Sequence, residues 1–333
     1  MKKSKKWLRL FPVLMVMIFL LTGCKNRISI NTSLGDSYLF AIGNHEFKLS
    51  AAKIIMMDFK CRYENNYVNI SGEDFWKKEV EDGQTFAEFV KNQYIFDELK
   101  NLEALNLLAK KYKLSLTSSE IKSAEEAGEE YVEALNEAER NFSDATKESA
   151  TTMMKKYALA QKTIDYLSAD INTEISKNEA RVVTIQEISV ASEEVANSLK
   201  ERIDKGEDFT SMARENNQDS ESNVARGDLP EELEESVFAL ESGEVSEVLS
   251  YEGNYYIIKC MNDYDEELSA ANQEKILEQR IYESWHGEVE RYLQEEGINL
   301  NKRAMEKVVF TYNPNITYAG FFTVYEKYFP KNS

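Results

Sequence analysis

The spacing of apolar residues changes once along the chain, and this change restricts the fold more than any other feature. Over residues 85–112, apolar side chains recur every three or four positions, which is the period of one buried helix face. Beyond residue 180 the chain becomes β-branched, and residues 181–190 and 255–260 have the composition and length of strands. The sequence therefore predicts an α+β fold, with a mainly helical body and a small sheet flanked by helices.

Polar residues ahead of the helical segments occupy positions typical of N-caps. Thr117 and Glu120 have the spacing of a capping box, in which each side chain accepts a hydrogen bond from the other residue's amide. We expect one helix to run from this box to residue 140. Ser50 is expected to cap a helix that begins at residue 51, and Ser143 a helix that ends near residue 167.

Short helices are predicted around the two strands. They cover residues 193–205, 209–215 and 232–240, and Gly206 is a usual C-terminal stop for the first of them. Residues 274–296 form a longer predicted helix that ends before Gly297. Beyond residue 308 the aromatic-rich tail has no clear period.

The first 24 residues have the layout of an export signal. Five basic residues precede an apolar run over residues 10–21, which is too short to span a bilayer comfortably. Residues 21–24, Leu-Thr-Gly-Cys, resemble the bacterial lipobox. The resemblance implies a signal peptide over 1–23, a diacylglyceryl thioether on Cys24, and a polar tether over 24–37. The alternative is an ordinary signal peptide followed by a chance cysteine.

The net charge argues against one class of partner. Cleavage before Cys24 would leave 35 basic and 59 acidic residues, a net charge of −24. Phosphate neutralisation needs clustered lysine and arginine, and the sequence has no such cluster, so we expect no nucleic-acid partner. The same charge repels anionic lipid head groups, so the lipid itself would have to hold the chain at the membrane.

Cysteine and histidine are too few for a disulfide framework or a zinc site. Besides Cys24 the chain has only Cys61 and Cys260, and the sequence leaves open whether these two pair. His45 and His286 belong to no Cys/His cluster with zinc spacing. We expect neither a metal nor a cofactor.

A run of short motifs in the second half resembles the parvulin family. Residues 206–213, Gly-Glu-Asp-Phe-Thr-Ser-Met-Ala, are similar to the parvulin element in which glycine, phenylalanine and alanine seat a helix on the sheet. Further stretches follow in the family's order at 219–222, 226–229, 240–246 and 255–259. Each motif is weak alone, but together they cover about 80 residues.

The order of the segments resembles the PrsA/SurA-type foldase lipoproteins. The Gly43-Asn44 turn, the long helix that follows it and residues 113–117 are similar to a SurA-type N-terminal lobe. The resemblance implies a SurA-like helical chaperone lobe over 38–178 and a parvulin-like domain with a small antiparallel sheet over 179–262. A C-terminal helix and tail over 263–333 would pack back on the helical lobe.

The residues at the expected isomerase site depart from the family pattern. Active parvulins place two histidines on adjacent central strands near a Cys or Asp; these catalytic positions fall at Glu187, Tyr256 and Ser220. The pocket phenylalanine falls at Leu233, and the loop with the pocket methionine is missing after Leu229. Glu187 either faces solvent or has a pKa raised by burial. The resemblance implies a peptidyl-prolyl isomerase, but these departures predict weak or absent activity.

Three functions remain open from the sequence. The first is a membrane-anchored, extracytoplasmic chaperone that binds unfolded or partly folded exported proteins and is tethered through Cys24, with a homodimer left open. The second is an active peptidyl-prolyl isomerase with an unusual site, in which Tyr256 and Ser220 still hydrogen-bond the substrate. The third is a solute-binding or adhesion lipoprotein, for which the sequence lacks the expected alternation of strands and helices.

Overall fold

The computed structural model of the chain describes residues 28–30, 34–80, 83–216, 218 and 220–330, in two compact units. The helical unit combines the residues up to Asp170 with those from Ile281 onward, and the sheet unit is Ile171–Arg280. The strands are β1 (Ile28–Ile30), β2 (Tyr38–Ile42), β3 (His45–Lys48), β4 (Val182–Val190), β5 (Glu221–Ala225), β6 (Leu249–Tyr251), β7 (Asn254–Asn262) and β8 (Ile298–Leu300).

The described residues also form the following helices. They are α1 (Leu49–Ser71), α2 (Phe86–Phe89), α3 (Phe96–Lys111), α4 (Ser118–Ala134), α5 (Glu137–Ser143), α6 (Lys147–Leu167), α7 (Lys177–Ala180), α8 (Glu193–Asp204), α9 (Phe209–Glu215), α10 (Glu231–Phe238), α11 (Glu266–Glu296), α12 (Lys302–Lys307) and α13 (Phe321–Tyr328). A 3₁₀ turn covers Phe75–Lys77, and a π-helical turn, Val90–Ile95, joins α2 to α3. The predicted mainly helical α+β class is confirmed.

The helical unit contains a four-stranded sheet in the order β1-β8-β2-β3. The β1–β8 pair is parallel and the other pairs are antiparallel. The β2–β3 hairpin turns at Gly43, whose φ of +54° lies in the left-handed region that glycine tolerates. β1 lies inside the segment predicted as a tether; the structure differs there because Ile-Ser-Ile has strand alternation and β8 offers it an edge.

The helix α3 lies at the centre of the helical unit and is buried nearly all round, on its polar positions as well as its apolar ones. Its buried carboxylates have partners on α6: Glu103 pairs with Lys156, and Glu98 accepts a hydrogen bond of 2.8 Å from the hydroxyl of Tyr157. The helical period over residues 85–112 therefore predicted the helix but not its burial.

The predicted capping box at Thr117 and Glu120 is confirmed at the start of α4. The predicted single helix to residue 140 is wrong, because the chain leaves the helical conformation after Ala134. Asn136 then forms a second capping box with Glu139 and starts α5.

Two predicted caps are wrong. The helix α1 begins at Leu49, ahead of Ser50, and has no side-chain cap. Ser143 is the last residue of α5, where its hydroxyl donates to the carbonyl of Glu139, and Thr146 caps α6 instead. A hydroxyl one turn from a helix end can bond the preceding turn as readily as it caps the next helix.

The aromatic-rich end of the chain belongs to the core of the helical unit. Phe310, Ile316, Phe321, Phe322 and Val324 are all buried in the same cluster as α1, α3 and α6. The helix α13 has only eight residues, which is too short to give a periodic signal by itself.

The sheet unit is an antiparallel sheet in the order β5-β4-β7-β6, with helices on both faces. On the α8–α9 face, Ile188 and Ile257 pack with Leu199, Phe209 and Met212. On the other face, here the α10 face, apolar residues of β4, β5, β7 and α10 form a cluster. The strands and helices predicted over residues 181–260 are present, with ends shifted by one or two positions.

Several predictions about the N-terminus lie outside the described residues, including the signal peptide and the lipidation of Cys24. None of the helices within the described part of the chain combines the length and the apolar character needed to cross a bilayer. Cys61 and Cys260 are buried free thiols.

We predict that Glu98→Gln flattens the pH dependence of stability of the helical unit. Burial raises the pKa of Glu98 to about 7 from an ordinary value of 4.5. The folded state therefore holds a proton that the unfolded chain releases between these pH values, so stability falls as pH rises through this window. The loss amounts to about 3 kcal/mol above pH 7.

Urea unfolding at pH 5 and pH 8, followed by tryptophan fluorescence, measures this effect, because Trp76 and Trp285 both lie in the helical unit. Glu98→Gln should be more stable than the unmodified chain at pH 8 and nearly equal to it near pH 5. A pH dependence that is the same in both proteins would contradict the assignment.

Candidate functional site

Glu187 lies on the central strand β4 and is exposed. It pairs with Ile258 of β7 and shares the α10 face with Val183 and Ile185. The sequence left open whether this carboxylate faces solvent or is buried, and in the structure it faces solvent. Ile258 and Ile185, which flank it on this face, are apolar, so Glu187 is an exposed hydrogen-bond acceptor at the rim of an apolar cluster.

Tyr256 and Ser220 lie at the same end of this face. Tyr256 is half-buried against the apolar cluster and pairs with Ser189, two residues beyond Glu187, which makes it a diagonal neighbour of that carboxylate. The β4–β5 ladder ends at the pair Gln186–Glu221; the exposed Ser220 directly precedes this end on β5, and Glu187 directly follows it on β4. The strand register thus makes Glu187 and Tyr256 neighbours on the α10 face, with Ser220 next to the end of the ladder.

The two predicted substrate-binding leucines have different environments. Leu229 is half-buried and packs against the apolar cluster of the α10 face, which Tyr256 also contacts. Leu233 is 4% exposed on α10. A ligand on this face could therefore contact Leu229 directly, whereas Leu233 presents little surface.

The short loop before α10 is tied to the helix by polar contacts. The guanidinium of Arg226 lies 4.4 Å from the ring centre of Phe238 and 3.0 Å from Glu235. The amide of Gly227 donates to Glu234 at 2.6 Å, with φ of +89° at the glycine. The loop is therefore tied to α10 through both its side chain and its main chain.

Sequence reasoning missed Gln218, which positions the segment before β5. The amide of Ser189 donates to Gln218 Oε1 at 2.8 Å, and Gln218 Nε2 donates to the carbonyl of Ser189 at 3.2 Å. The side-chain amide thereby substitutes for a main-chain pair on the edge of β4 where β5 has ended. No local pattern marks this glutamine, since its role depends on the register of a distant strand.

The site can offer hydrogen bonds but no imidazole. Isomerisation requires binding a twisted amide more tightly than a planar one, against a barrier of about 18–20 kcal/mol. The two histidines of the chain, at positions 45 and 286, lie outside the sheet unit Ile171–Arg280. The groups at hand are the carboxylate of Glu187, the phenol of Tyr256 and the hydroxyl of Ser220. Within the described ranges, no cluster of His, Cys, Asp or Glu could hold a metal ion.

Two cavities lie away from these residues. One, of about 290 Å³ in the helical unit, is bordered by β3, the start of α1 and the first turns of α6. The other, of about 280 Å³ in the sheet unit, is lined by Lys177, Asn178, Arg181 and Tyr264. Neither is lined by the five predicted site residues.

In a comparison with known protein families, the sheet unit matches one family. Residues 172–271 match the family described as the PPIC-type PPIASE domain. The foldase protein PrsA of Caldanaerobacter subterraneus subsp. tengcongensis is 29% identical over 203 residues, which cover 56% of this chain and 61% of that protein. The foldase protein PrsA of Geobacillus kaustophilus is 25% identical over 230 residues, covering 63% of this chain and 79% of that protein.

Solved structures give a weaker likeness. The crystal structure of the peptidylprolyl isomerase PrsA from Bacillus cereus superimposes with a TM-score of 0.39 at 20% identity, covering 75% of this chain and 97% of that one.

We predict that Gln218→Ala loosens the β4 edge at the candidate site. The substitution removes both bonds to Ser189 and should cost the sheet unit about 1–2 kcal/mol, with faster hydrogen exchange at the Ser189 amide. Asn223→Ala is the matched control on β5, since it removes only an exposed bond from the hydroxyl of Thr184. Unchanged exchange at Ser189 in Gln218→Ala would contradict the role given to this glutamine.

Proposed function

We propose that this chain is an extracytoplasmic foldase of the PrsA type with a PPIC-type rotamase domain, and that it binds unfolded segments of exported proteins and contributes little proline isomerisation. One observation carries the proposal: the matched domain keeps its sheet and both helical faces but contains no histidine. What remains at the site is an exposed carboxylate, a phenol and a hydroxyl.

The structure of the α10 face supports weak catalysis. Preorganised polar groups stabilise a transition state most when they lie in a pocket that excludes water, and exposed polar groups stabilise it little. Glu187 and Ser220 are exposed, and Arg226 and Gly227 tie the short loop before α10 to that helix. The substrate would therefore meet a solvated rim and not an enclosed proline pocket.

The helical unit supports the chaperone part of the proposal. It has the larger core, and the foldase relatives match the chain beyond the 100 residues of the PPIC-type domain. The acidic surface would keep a complex with an aggregation-prone protein soluble. We include in the proposal a lipid on Cys24 that holds the chain at the outer surface of the membrane, as the lipobox-like tetrapeptide implies.

We predict that the chain from Lys25 to Ser333 suppresses aggregation of an unfolded protein at near-stoichiometric ratio. On the same preparation, a proline-peptide assay should give a rate within about twofold of the uncatalysed one, whose time scale is tens of seconds. This segment keeps every residue that the structure describes.

Tyr256→Phe and Ser220→Ala serve as the site controls, and neither should change either measurement. Isomerisation well above the uncatalysed rate that falls in these two variants would favour an active isomerase with an unusual site. Failure to suppress aggregation, with far-UV circular dichroism showing a folded chain, would contradict the chaperone proposal.

A further inference from the structure

Residues 309–330, here called the tail, run along the helical unit without forming helix or strand until α13 begins. Its main chain is bound by side chains of α1 and α5. These side chains, here called the clamp, are Asp58, Cys61, Asn65, Asn136 and Glu139.

The clamp binds three successive tail carbonyls, those of residues 315–317. Asn136 Nδ2 donates to the first at 3.0 Å, the Cys61 thiol to the second at 3.5 Å, and Asn65 Nδ2 to the third at 3.2 Å. Burial raises the pKa of Cys61 to about 12, so the thiol keeps the proton that it donates.

The clamp also binds tail amides through two carboxylates. Glu139 Oε1 accepts from the amides of Thr317 at 3.1 Å and Tyr318 at 2.9 Å, and Asp58 Oδ1 accepts from Phe321 at 3.0 Å. Hydrogen bonds to a charged acceptor are stronger than those between neutral groups. The contacts to the tail therefore use main-chain atoms, which every peptide segment offers.

The two carboxylates are oriented by their own helices and not by the tail. Glu139 Oε2 accepts from the amide of Asn136 at 2.9 Å within the capping box of α5. Asp58 Oδ2 pairs with Arg62, one turn along α1, at 2.5 Å. A site whose groups are already held in place loses little entropy when a segment binds.

The tail does not satisfy every group around it. The hydroxyl of Tyr131 is buried beside Tyr318 and Phe321 and has no hydrogen-bond partner among the described residues. Over residues 315–321 the tail buries two apolar side chains, Ile316 and Phe321, while Thr317 is exposed. The fit leaves one polar group, the Tyr131 hydroxyl, that another segment could bind.

We propose that the clamp is a binding site for the main chain of an unfolded client segment, and that the tail is its resident occupant. This inference rests on the proposed chaperone function and adds the site. A client segment replaces residues 315–321, takes over the bonds to Glu139 and Asp58, and releases the tail. A client can bind only when the tail has left the clamp. The apparent affinity for the client is therefore the affinity of the empty clamp multiplied by the fraction of time for which the clamp is empty.

The test compares substitutions on the tail with substitutions in the clamp, in the full mature chain. The probe is fluorescent, reduced and carboxamidomethylated lysozyme, and its Kd is measured by anisotropy. Ile316→Ala and Val324→Ala each remove a buried apolar side chain of the tail and change no clamp side chain, so each should bind the probe about tenfold more tightly than the unmodified chain. Val309→Ala, at a tail position that is 61% exposed, should leave Kd unchanged.

A second substitution distinguishes a binding site from packing. In the Ile316→Ala background, Glu139→Gln should weaken probe binding again, whereas Glu137→Gln, an exposed neighbour on α5, should not. Circular dichroism checks the fold of each variant; if Val324→Ala is not folded, Ile316→Ala decides.

The outcomes separate the two proposals. Equal probe affinity in the unmodified chain and in Ile316→Ala overturns the clamp as a client site while the chaperone function stands. Tighter binding that Glu139→Gln does not reverse also overturns it, because the client then binds elsewhere. No binding by any folded form overturns the chaperone function and the clamp together.

Discussion

A polypeptide that packs on a protein core outside helix and strand must find partners for the main-chain polar groups that it removes from water, and this constraint organises the helical unit. The tail meets it through side chains of α1 and α5 and not through a ladder of main-chain bonds. These side chains include two buried carboxylates, Asp58 and Glu139. A buried charge is costly unless it is fully hydrogen-bonded, so the carboxylates and the tail amides stabilise one another.

The sheet unit illustrates how a fold can persist when the chemistry at its site changes. Its stability depends on two apolar faces, one packed by α8 and α9 and the other by α10. The positions matched to the isomerase site lie at one end of the α10 face, where Glu187 and Ser220 are exposed and Tyr256 only borders the cluster. Substitutions there leave the core contacts intact, so the sheet is kept whether or not the site acts on proline.

Local sequence patterns predicted those helices and strands that depend on residues only a few positions apart. The capping box at Thr117, the strand β4 and the helix α8 followed from spacing within a few residues. The single helix predicted to residue 140 was wrong because Asn136 starts a new helix, and the caps assigned to Ser50 and Ser143 were wrong because those hydroxyls lie inside helices.

What the sequence did not reveal depends on distant parts of the chain. Gln218 acts through the register of β4, β1 needs β8 as its neighbour, and the tail needs the clamp about 180 to 260 residues earlier. The site positions themselves came from a family resemblance. Their grouping follows from the strand register, which no spacing in the sequence could supply.

The most direct test of the account is a hydrogen-exchange footprint of a permanently unfolded client on the full mature chain. If the helical unit holds the client at the clamp, amides of α1 and α5 change protection and those of residues 315–321 exchange faster as the tail is released. A footprint confined to the end of the sheet around Glu187 and Tyr256, with the tail unaffected, would contradict it.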